Sequence, residues 1–285
     1  METEHSTHPT AIVDKRARLG EGVKIGPYVV IEGRVSIGDG TTIKSHSVLG
    51  GDTKIGRNCR IGPAAYVGLD PQHIRFKAEA LSPTFLIIGD NVTVREGARI
   101  HRAIHPGEDH ATRIGDNCFI MGAVHVAHDC ILERDVIMAD AALLGGHCHV
   151  GRGAFLGGGC TVHQFVHIGR LAIIAGNEQL SHDVPPFGAV RYGRLKGYNA
   201  VGCKRAGMDR ATVTALRKCF NALRQHRTVP AALAELRANV EPYPEVRELV
   251  EFIASARRGI PPSRFRGAGG PRSDSGADVG GADDL

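Results

Sequence analysis

A six-residue period dominates this sequence. In three runs of the chain, an aliphatic residue returns at every sixth position. The first run contains Val13, Leu19, Ile25, Ile31, Ile37, Ile43, Leu49, Ile55, Ile61 and Val67. The second contains Ile88, Val94 and Ile100, and the third continues at the same interval from Ile114 to Leu180. This period fits neither an α-helix, at about 3.6 residues per turn, nor the alternation of a plain strand. It predicts a parallel β-helix, in which each hexapeptide is one short strand plus a corner and three hexapeptides complete a coil.

Small residues support this interpretation. Gly directly follows many of the inward aliphatic residues, where we expect it to give the backbone a tight turn. Five cysteines stand two residues before an inward position, and we interpret them as small core residues rather than metal ligands or redox centres. They are Cys59, Cys118, Cys130, Cys148 and Cys160. Seven cysteines in all, without a C-x-x-C pair or a signal peptide, predict reduced thiols and a cytoplasmic location.

Two interruptions and a C-terminal change of pattern divide the chain. The repeat breaks over about 69–85 and again over about 102–112, and insertions on a regular solenoid favour binding functions. A basic connector follows from Arg191 to Arg205. Helices predicted over 209–226, 230–239 and 244–258, the first with Asp209 as N-cap, would close the end of the solenoid. We therefore expect a β-helix over 1–190, a connector and helical cap over 191–262, and a disordered tail over 263–285.

Candidate chemistry centres on the stretch Met121–Cys130, which places His125, His128 and Asp129 within five positions. Since one coil takes about eighteen residues, residues that far apart share a face of the solenoid. Allowing for the second interruption, this spacing aligns a series of histidines on one face, with His125 at its edge. The series is His101, His128, His147 and His163.

Two chemistries suit such a series. An imidazole whose unperturbed pKa is about 6.5 can take a proton from a hydroxyl nucleophile near neutral pH. Asp129 could then support the imidazolium, and the N–H of Gly145 or Gly146 could receive an oxyanion. The rival is a metal site with three histidine ligands. It is the weaker reading, because metal ligands must converge on a point whereas these histidines spread over several coils. We predict no metal site.

Several stretches resemble one family. They are Asp70-Pro-Gln72, Ile100-His-Arg102, His125-Val-Ala-His128-Asp129-Cys130, Gly146-His147, Val162-His-Gln-Phe165 and Asp183-Val-Pro-Pro186. With the hexapeptide solenoid they resemble the acyl-[acyl-carrier-protein]–UDP-N-acetylglucosamine O-acyltransferases. The resemblance implies left-handed winding and a homotrimer with active sites between subunits. It implies transfer of a 3-hydroxyacyl group from acyl carrier protein to the sugar 3-hydroxyl, the first step of lipid A biosynthesis. No cofactor is implied beyond the phosphopantetheine that carries the acyl group.

The same resemblance assigns roles to residues. His128 would be the general base, Asp129 its partner and the Gly146 N–H the oxyanion donor. Substrate contacts would come from His73, Arg75, His101, His125, His147, His163, Gln164, Gly176, Asn199 and Arg205. Among these, Gly176 would set acyl-chain length, with a glycine favouring a longer chain. Asn199 and Arg205 would contact the nucleotide, the latter as a cationic fork on the diphosphate.

Four positions depart from the family pattern. His73 stands in place of an acidic residue and Arg75 in place of a lysine, while Val201 and Ala206 replace a glutamate and a second arginine. These changes leave open a different acceptor, such as a 3-amino sugar nucleotide. From a different class, a zinc hydratase like the γ-carbonic anhydrases or a non-enzymatic solenoid stays possible.

The charge of the chain indicates its partners. The net charge of +5 is too small to favour nucleic acid, and no stretch is long and apolar enough to span a membrane. The basic connector and first helix could instead receive acidic acyl carrier protein, or form an ordinary solvated basic face.

Overall fold

The computed structural model describes residues 6–74, 76, 83–238 and 243–263. The strands of the first half of the chain are β1 (Ser6–Thr7), β2 (Ile12–Val13), β3 (Arg18–Leu19), β4 (Lys24–Ile25), β5 (Val30–Ile31), β6 (Ser36–Ile37), β7 (Thr42–Ile43), β8 (Val48–Leu49), β9 (Asp52–Ile55), β10 (Arg60–Ile61), β11 (Tyr66–Leu69), β12 (Phe85–Ile88), β13 (Thr93–Val94) and β14 (Arg99–His101).

The second half contains β15 (Thr112–Ile114), β16 (Phe119–Ile120), β17 (His125–Val126), β18 (Ile131–Leu132), β19 (Ile137–Met138), β20 (Leu143–Leu144), β21 (His149–Val150), β22 (Phe155–Leu156), β23 (Thr161–Val162), β24 (His167–Ile168), β25 (Ile173–Ile174), β26 (Gln179–Leu180), β27 (Gly188–Arg191) and β28 (Arg194–Tyr198). The helices are a single 3₁₀ turn (Glu108–His110), α1 (Ala200–Arg205), α2 (Arg210–Gln225), α3 (Val229–Ala238) and α4 (Pro244–Ser255).

Every third strand belongs to the same sheet, so the chain winds through three sheets in turn. The first sheet runs from β1 through β4 and β7 to β25, the second from β2 through β5 to β26, and the third from β3 through β6 to β24. Strands of neighbouring coils pair in parallel, as where His125 of β17 lies beside Leu143 of β20. The predicted left-handed parallel β-helix is confirmed. We call the turns from sheet one to two, two to three and three to one the first, second and third corners.

The repeating aliphatic residues fill the interior, as their period predicts. From Ile25 to Leu180 the inward positions form one continuous buried core, and the five cysteines predicted to be core residues are buried with them. Burial is favourable at roughly 25 cal/mol per Å² of apolar surface, so the length of the solenoid supplies its stability coil by coil.

The glycines after the aliphatic residues act differently from the prediction. Most keep negative φ, and what requires glycine is close approach between coils: a Cβ at Gly38 would lie 2.7 Å from the carbonyl carbon of Gly56. The left-handed backbone occurs two positions later in the corner. Asn, Asp, His and Ala adopt it there, among them Asp129 at φ 58° and His147 at φ 59°. Gly68, at φ +76°, is an exception.

The segment predicted as a basic connector contains regular structure. β27 extends the first sheet in parallel beside β25, and β28 returns antiparallel to it. The first sheet therefore continues through Tyr198, beyond the division at residue 190 that the sequence suggested. That division stays a prediction, and most of the predicted tail, 264–285, lies outside the described residues.

The helical cap closes the C-terminal end of the solenoid. α2 begins after Asp209, whose carboxylate accepts a hydrogen bond from the Thr212 N–H at 2.7 Å, which confirms the predicted N-cap. Arg170 links the last coils to α4 through an ion pair with Glu248 at 2.6 Å. None of the helices in the described parts of the chain has the length and apolar character needed to cross a bilayer.

Candidate active site

Both insertions leave the solenoid at its second corner. The first connects β11 to β12 and the second connects β14 to β15, and each of these pairs joins sheet two to sheet three. The stretch Ala127–Cys130 forms the same corner one coil further on, between β17 and β18. Irregular loops therefore surround the histidine-rich corner on its N-terminal side.

His128 and Asp129 form a buried, hydrogen-bonded pair. His128 Nδ1 lies 2.7 Å from Asp129 Oδ2, and the two side chains are 7% and 8% exposed. The left-handed φ of Asp129 turns its carboxylate back towards the preceding imidazole. Its N–H donates to Thr112 Oγ1 at 2.8 Å and its Oδ2 accepts from the Ile104 N–H at 3.2 Å. The second insertion thus holds the carboxylate in place.

The electrostatics keep Asp129 ionised. Burial by itself raises the pKa of Asp129, but hydrogen bonds from His128 and the Ile104 N–H outweigh it and hold that pKa below its ordinary value. Because an ionised carboxylate only accepts hydrogen bonds, His128 Nδ1 carries the proton. In the neutral form of the ring, Nε2 therefore presents the lone pair that a general base requires.

Gly146 lies directly over the His128 ring, one coil above it. A Cβ at Gly146 would stand 2.5 Å from Cε1 and 2.9 Å from Nε2 of His128, so any side chain there would displace the imidazole. The N–H of Gly145 is bonded to the Val162 carbonyl and that of His147 to the His128 carbonyl. Within the described part of the chain, the Gly146 N–H has no acceptor and remains available to a ligand.

A cluster of rings surrounds the pair. The ring of His147 packs edge to face on that of His128, with 5.2 Å between the ring centroids, and stacks on the ring of Phe165 with 4.6 Å between centroids. His73, from the first insertion, approaches His128 at 5.8 Å. His105, from the second insertion, lies 6.2 Å from His147. The sequence reading missed the contact of His105, because no spacing rule predicts where a loop side chain will lie. It also missed Phe165, although the eighteen-residue interval places Phe165 one coil above His147.

His101 and His125 form a second pair, with ring centroids 5.1 Å apart. Burial lowers the pKa of His125 to about 4, helped by the nearby His101, and burial also lowers the pKa of His101. His101 Nδ1 lies 2.7 Å from the Asp70 carbonyl, so that nitrogen donates and Nε2 holds a lone pair. Among the residues that the structure describes, this Nε2 is buried without a hydrogen-bond partner, so a substrate hydroxyl could bind there.

Other predicted site residues lie apart from this cluster. His163 is at the second corner, where its Nδ1 lies 3.1 Å from the Gln164 carbonyl, and Gln164 stands one coil above Gly146. Gly176 is at the first corner, beside β25. Arg75 lies outside the described residues.

Asn199 and Arg205 belong to a different face of the solenoid. They line a cleft of about 660 Å³ together with Phe155 and Ile173, whose side chains point outward from the first sheet. The Asn199 side chain caps α1 by accepting from the Gly202 N–H at 2.9 Å, and its amide donates to the Leu171 carbonyl at 2.8 Å. Both of its polar groups are therefore occupied within the fold.

One group in the described residues could hold a metal ion. His128, Asp129 and His147 each offer a ligand atom, and these atoms lie within 4.8 Å of one another. Binding an ion through His128 Nδ1 would require breaking its bond to Asp129. The arrangement therefore fits a hydrogen-bonded acid–base pair better than a preformed metal centre.

Comparisons with known proteins agree with this geometry. A family described as UDP-N-acetylglucosamine O-acyltransferase, domain 2, matches residues 183–261, and the bacterial transferase hexapeptide family matches residues 16–51. An acyl-[acyl-carrier-protein]–UDP-N-acetylglucosamine O-acyltransferase of Halorhodospira halophila is 42% identical over 257 residues, covering 89% of this chain and 98% of the relative. One from Pseudomonas putida is 40% identical, covering 90% and 99%.

Solved structures give the same result. The UDP-N-acetylglucosamine acyltransferase from Campylobacter jejuni has a TM-score of 0.82 and 34% identity, covering 91% of this chain and all of that chain. The enzyme from Francisella novicida has a TM-score of 0.83 and 30% identity, covering 89% and 93%. The similarity extends through both the solenoid and the helical cap.

Proposed function

Because the chain belongs to the UDP-N-acetylglucosamine O-acyltransferase family, we propose that it transfers a 3-hydroxyacyl group from acyl carrier protein to the 3-hydroxyl of UDP-N-acetylglucosamine. This is the reaction that begins lipid A biosynthesis. The observation that carries the proposal is the His128–Asp129 pair at 2.7 Å, with the His128 ring directly beneath Gly146.

In this mechanism His128 acts as the general base. Its Nε2 takes the proton of the sugar 3-hydroxyl while the hydroxyl oxygen attacks the thioester carbonyl carbon. The ionised Asp129 stabilises the imidazolium that forms, and the Ile104 N–H keeps the carboxylate oriented.

Gly146 stabilises the negative charge that develops on the thioester oxygen. Its N–H, which has no acceptor among the described residues, donates to the oxyanion of the tetrahedral intermediate. When the intermediate collapses, the carbon–sulfur bond breaks and the phosphopantetheine thiol leaves with the proton from His128. An ester bond replaces the thioester, and the base is restored.

We propose that no metal ion takes part. The ionised Asp129 can already stabilise the imidazolium, so proton transfer does not require a Lewis acid. Full activity in the presence of a chelator is expected, and a stoichiometric zinc requirement would instead support a hydratase of the γ-carbonic anhydrase kind. Metal content of the active protein should be measured in the same samples.

The active site is proposed to lie between two subunits of a homotrimer. His128 belongs to the second corner, whereas Asn199 and Arg205 line a cleft on the first sheet. These two faces of one solenoid point in different directions. A single substrate molecule could contact both kinds of residue if a neighbouring subunit placed its first-sheet face against the second corner. The outward Phe155 and Ile173 would then be covered, as apolar side chains prefer.

The helical cap is proposed to receive acyl carrier protein. A groove of about 900 Å³ lies among α2, α3 and α4, with Arg210 and Lys218 along its edge. Cations at such a surface would speed the encounter with an acidic partner. A cytoplasmic location is proposed from the seven free, buried cysteines, because reduced thiols are usual there.

The experiment is an acyl-transfer assay with purified protein and 3-hydroxyacyl carrier proteins of several chain lengths. UDP-N-acetylglucosamine and its 3-amino analogue are offered side by side, since His73 rather than a carboxylate faces His128. Transfer to the ordinary sugar is expected, with preference for a longer acyl chain if Gly176 leaves its groove open. Transfer only to the amine would mean that the acceptor site has been rebuilt, and transfer to neither would contradict the proposal.

His128→Gln is the variant that tests the base. We expect a loss of turnover of at least about a hundredfold with the oligomer still folded, because the amide cannot accept the hydroxyl proton. Circular dichroism and size-exclusion chromatography check the fold. Retention of more than about a tenth of wild-type turnover would rule out His128 as the general base.

A further inference from the structure

Three consecutive backbone amides join the first insertion to the catalytic pair. The Arg102 N–H donates to the Leu69 carbonyl at 3.3 Å and the Ala103 N–H to the Phe85 carbonyl at 3.1 Å. These acceptors stand at the two ends of the first insertion. The next amide, of Ile104, donates to Asp129 Oδ2 at 3.2 Å. The position of this third donor is therefore coupled to how the insertion is closed.

The Arg102 side chain also contacts both ends of the first insertion, as its backbone amide and that of Ala103 do. Its Nη1 donates to the Gly68 carbonyl at 3.0 Å and its Nε to Thr84 Oγ1 at 2.9 Å, while Nη2 forms an ion pair with Asp70. The side chain is only 13% exposed, and the ring of Phe76 lies 5.6 Å from its guanidinium. Each guanidinium nitrogen thus has a partner at an end of the insertion.

Gly51, at the same corner two coils earlier, leaves room for this guanidinium. A Cβ at Gly51 would stand 2.6 Å from Nη1 and 3.0 Å from Cδ of Arg102. Only a residue without a side chain permits the arginine to cross the corner here. A lysine could reach Asp70, but its single ammonium cannot present three donors in one plane to three fixed acceptors.

The segments joined in this way carry groups on both sides of the proposed site. The first insertion bears His73, whose ring is 5.8 Å from His128, and the Asp70 carbonyl that fixes the tautomer of His101. The second bears the amide that orients Asp129. Arg102 itself touches neither His128 nor Asp129 through its side chain.

We propose that Arg102 is a positioning residue that aligns the acceptor-binding insertion with the catalytic pair. The proposal rests on the acyl transfer proposed above. Losing the guanidinium would loosen His73 and Asp70, which affects acceptor binding, and would shift the Ile104 amide, which affects the base. Both kinetic constants should therefore change together, although the residue makes no contact with the reacting atoms.

Arg102→Met is the decisive variant, because it keeps much of the aliphatic stem and removes every donor. We expect kcat to fall about tenfold and KM for the UDP-sugar to rise about fivefold, since small misplacements of catalytic groups are costly. KM for the acyl carrier protein should not change. Arg57→Met is the matched control: it removes an arginine paired with Asp90 at 2.9 Å, at a third corner without an insertion, and should leave all three constants unchanged.

Further variants separate positioning from loss of stability. We call the contacts of the Arg102 guanidinium with Gly68, Asp70 and Thr84 the Arg102 clamp. Asp70→Asn should lower kcat/KM. The double variant with Arg102→Met should lose less free energy of transition-state binding than the two single variants add up to, because both changes break the same clamp. Arg102→Lys should restore part of the KM change but little of kcat. Hydrogen exchange of the peptide spanning 102–112 should accelerate in Arg102→Met and stay slow in the Arg57→Met control.

Two results would overturn the proposal. One is an Arg102→Met protein that melts at a lower temperature yet keeps kcat and KM within about twofold of wild type, like the control. The other is strict additivity with Asp70→Asn. If Arg102→Met does not fold, kcat and KM of Arg102→Lys and Thr84→Val are measured instead, and values within about twofold of wild type would overturn the proposal in the same way. An inactive wild-type protein would instead count against the proposed function, while the exchange measurement would still test the clamp.

Discussion

At the scale of single residues, Gly146 contributes to the site in two ways, through its close packing against His128 and through its backbone N–H. Its Cα hydrogen faces the His128 ring, and its N–H is the proposed oxyanion donor. The glycine is required by the imidazole beneath it, because a methyl group there would overlap Cε1 and Nε2. Its neighbour Gly145 approaches Gln164 in a similar way, with 2.8 Å between its would-be Cβ and the Gln164 nitrogen.

Gly146→Ala should therefore lower kcat by about a hundredfold, because the added methyl displaces the base from its position under the oxyanion donor. Gly158→Ala is the matched control. It occupies the equivalent place in a first corner, where the Cβ would meet only the Asp140 carbonyl at 3.2 Å. Steady-state kinetics of both variants provide the measurement. Equal activity of the two would mean that the His128 ring moves aside at no cost.

His125 gives a prediction about acid stability. Its folded pKa of about 4 lies below the unfolded value of about 6.5, so the unfolded chain binds more protons between these two values. The contribution of His125 is fully present above about pH 6.5 and is lost as the pH falls towards 4. His101, Arg99 and His128 repel its charged form.

We therefore expect the melting temperature of wild type to fall between pH 6.5 and pH 4 more steeply than that of His125→Gln. Differential scanning calorimetry across this range is the measurement. Parallel pH profiles for the two proteins would show that His125 is not buried in its neutral form.

At the scale of elements, α1 depends on one side chain. Asn199 caps the helix through the Gly202 N–H and also satisfies the Leu171 carbonyl, so it joins the cap to the last coils. The six-residue helix is too short to be stable alone. This role was absent from the sequence reading, which assigned Asn199 to the nucleotide.

Asn199→Ala should destabilise the protein by about 2 kcal/mol, because it removes the helix cap and leaves the partly buried Leu171 carbonyl without its donor. Asn199→Asp keeps the acceptor for the Gly202 N–H and should therefore lose less stability than Asn199→Ala. Chemical denaturation of both variants is the measurement. Normal stability with a raised KM for the UDP-sugar would favour a direct nucleotide contact instead.

At the scale of the whole molecule, the proposed trimer can be tested by complementation. His128→Ala and Arg205→Ala should each be inactive or nearly so, because each removes one half of a shared site. When their subunits are mixed and reassembled at equal ratio, about a quarter of the sites should combine an intact His128 with a neighbour's intact Arg205. Recovery of about a quarter of wild-type activity is expected in the transfer assay. No recovery would place both residues in one subunit's site.

The sequence by itself determined the solenoid and the central pair. A six-residue period sustained over most of the chain has only one regular solution, and it fixes which residues point inward. The interval of eighteen residues then places His128 one coil below Gly146, so that much of the site follows from the repeat alone. The N-cap at Asp209 was equally local, since a carboxylate can reach only amides within the next turn.

Only the tertiary structure decided what lies between distant segments. The eighteen-residue interval itself places His163 one coil above Gly145 rather than above His147, but it could not place His105 beside His147, because His105 belongs to an insertion of unknown shape. The hairpin of β27 and β28 was also missed, because its pairing depends on the end of the solenoid rather than on its own pattern. The Arg102 clamp joins Gly68, Asp70 and Thr84 across a gap that no sequence period spans. Loops without a repeat take their position from the groups they meet, and those contacts exist only once the chain has folded.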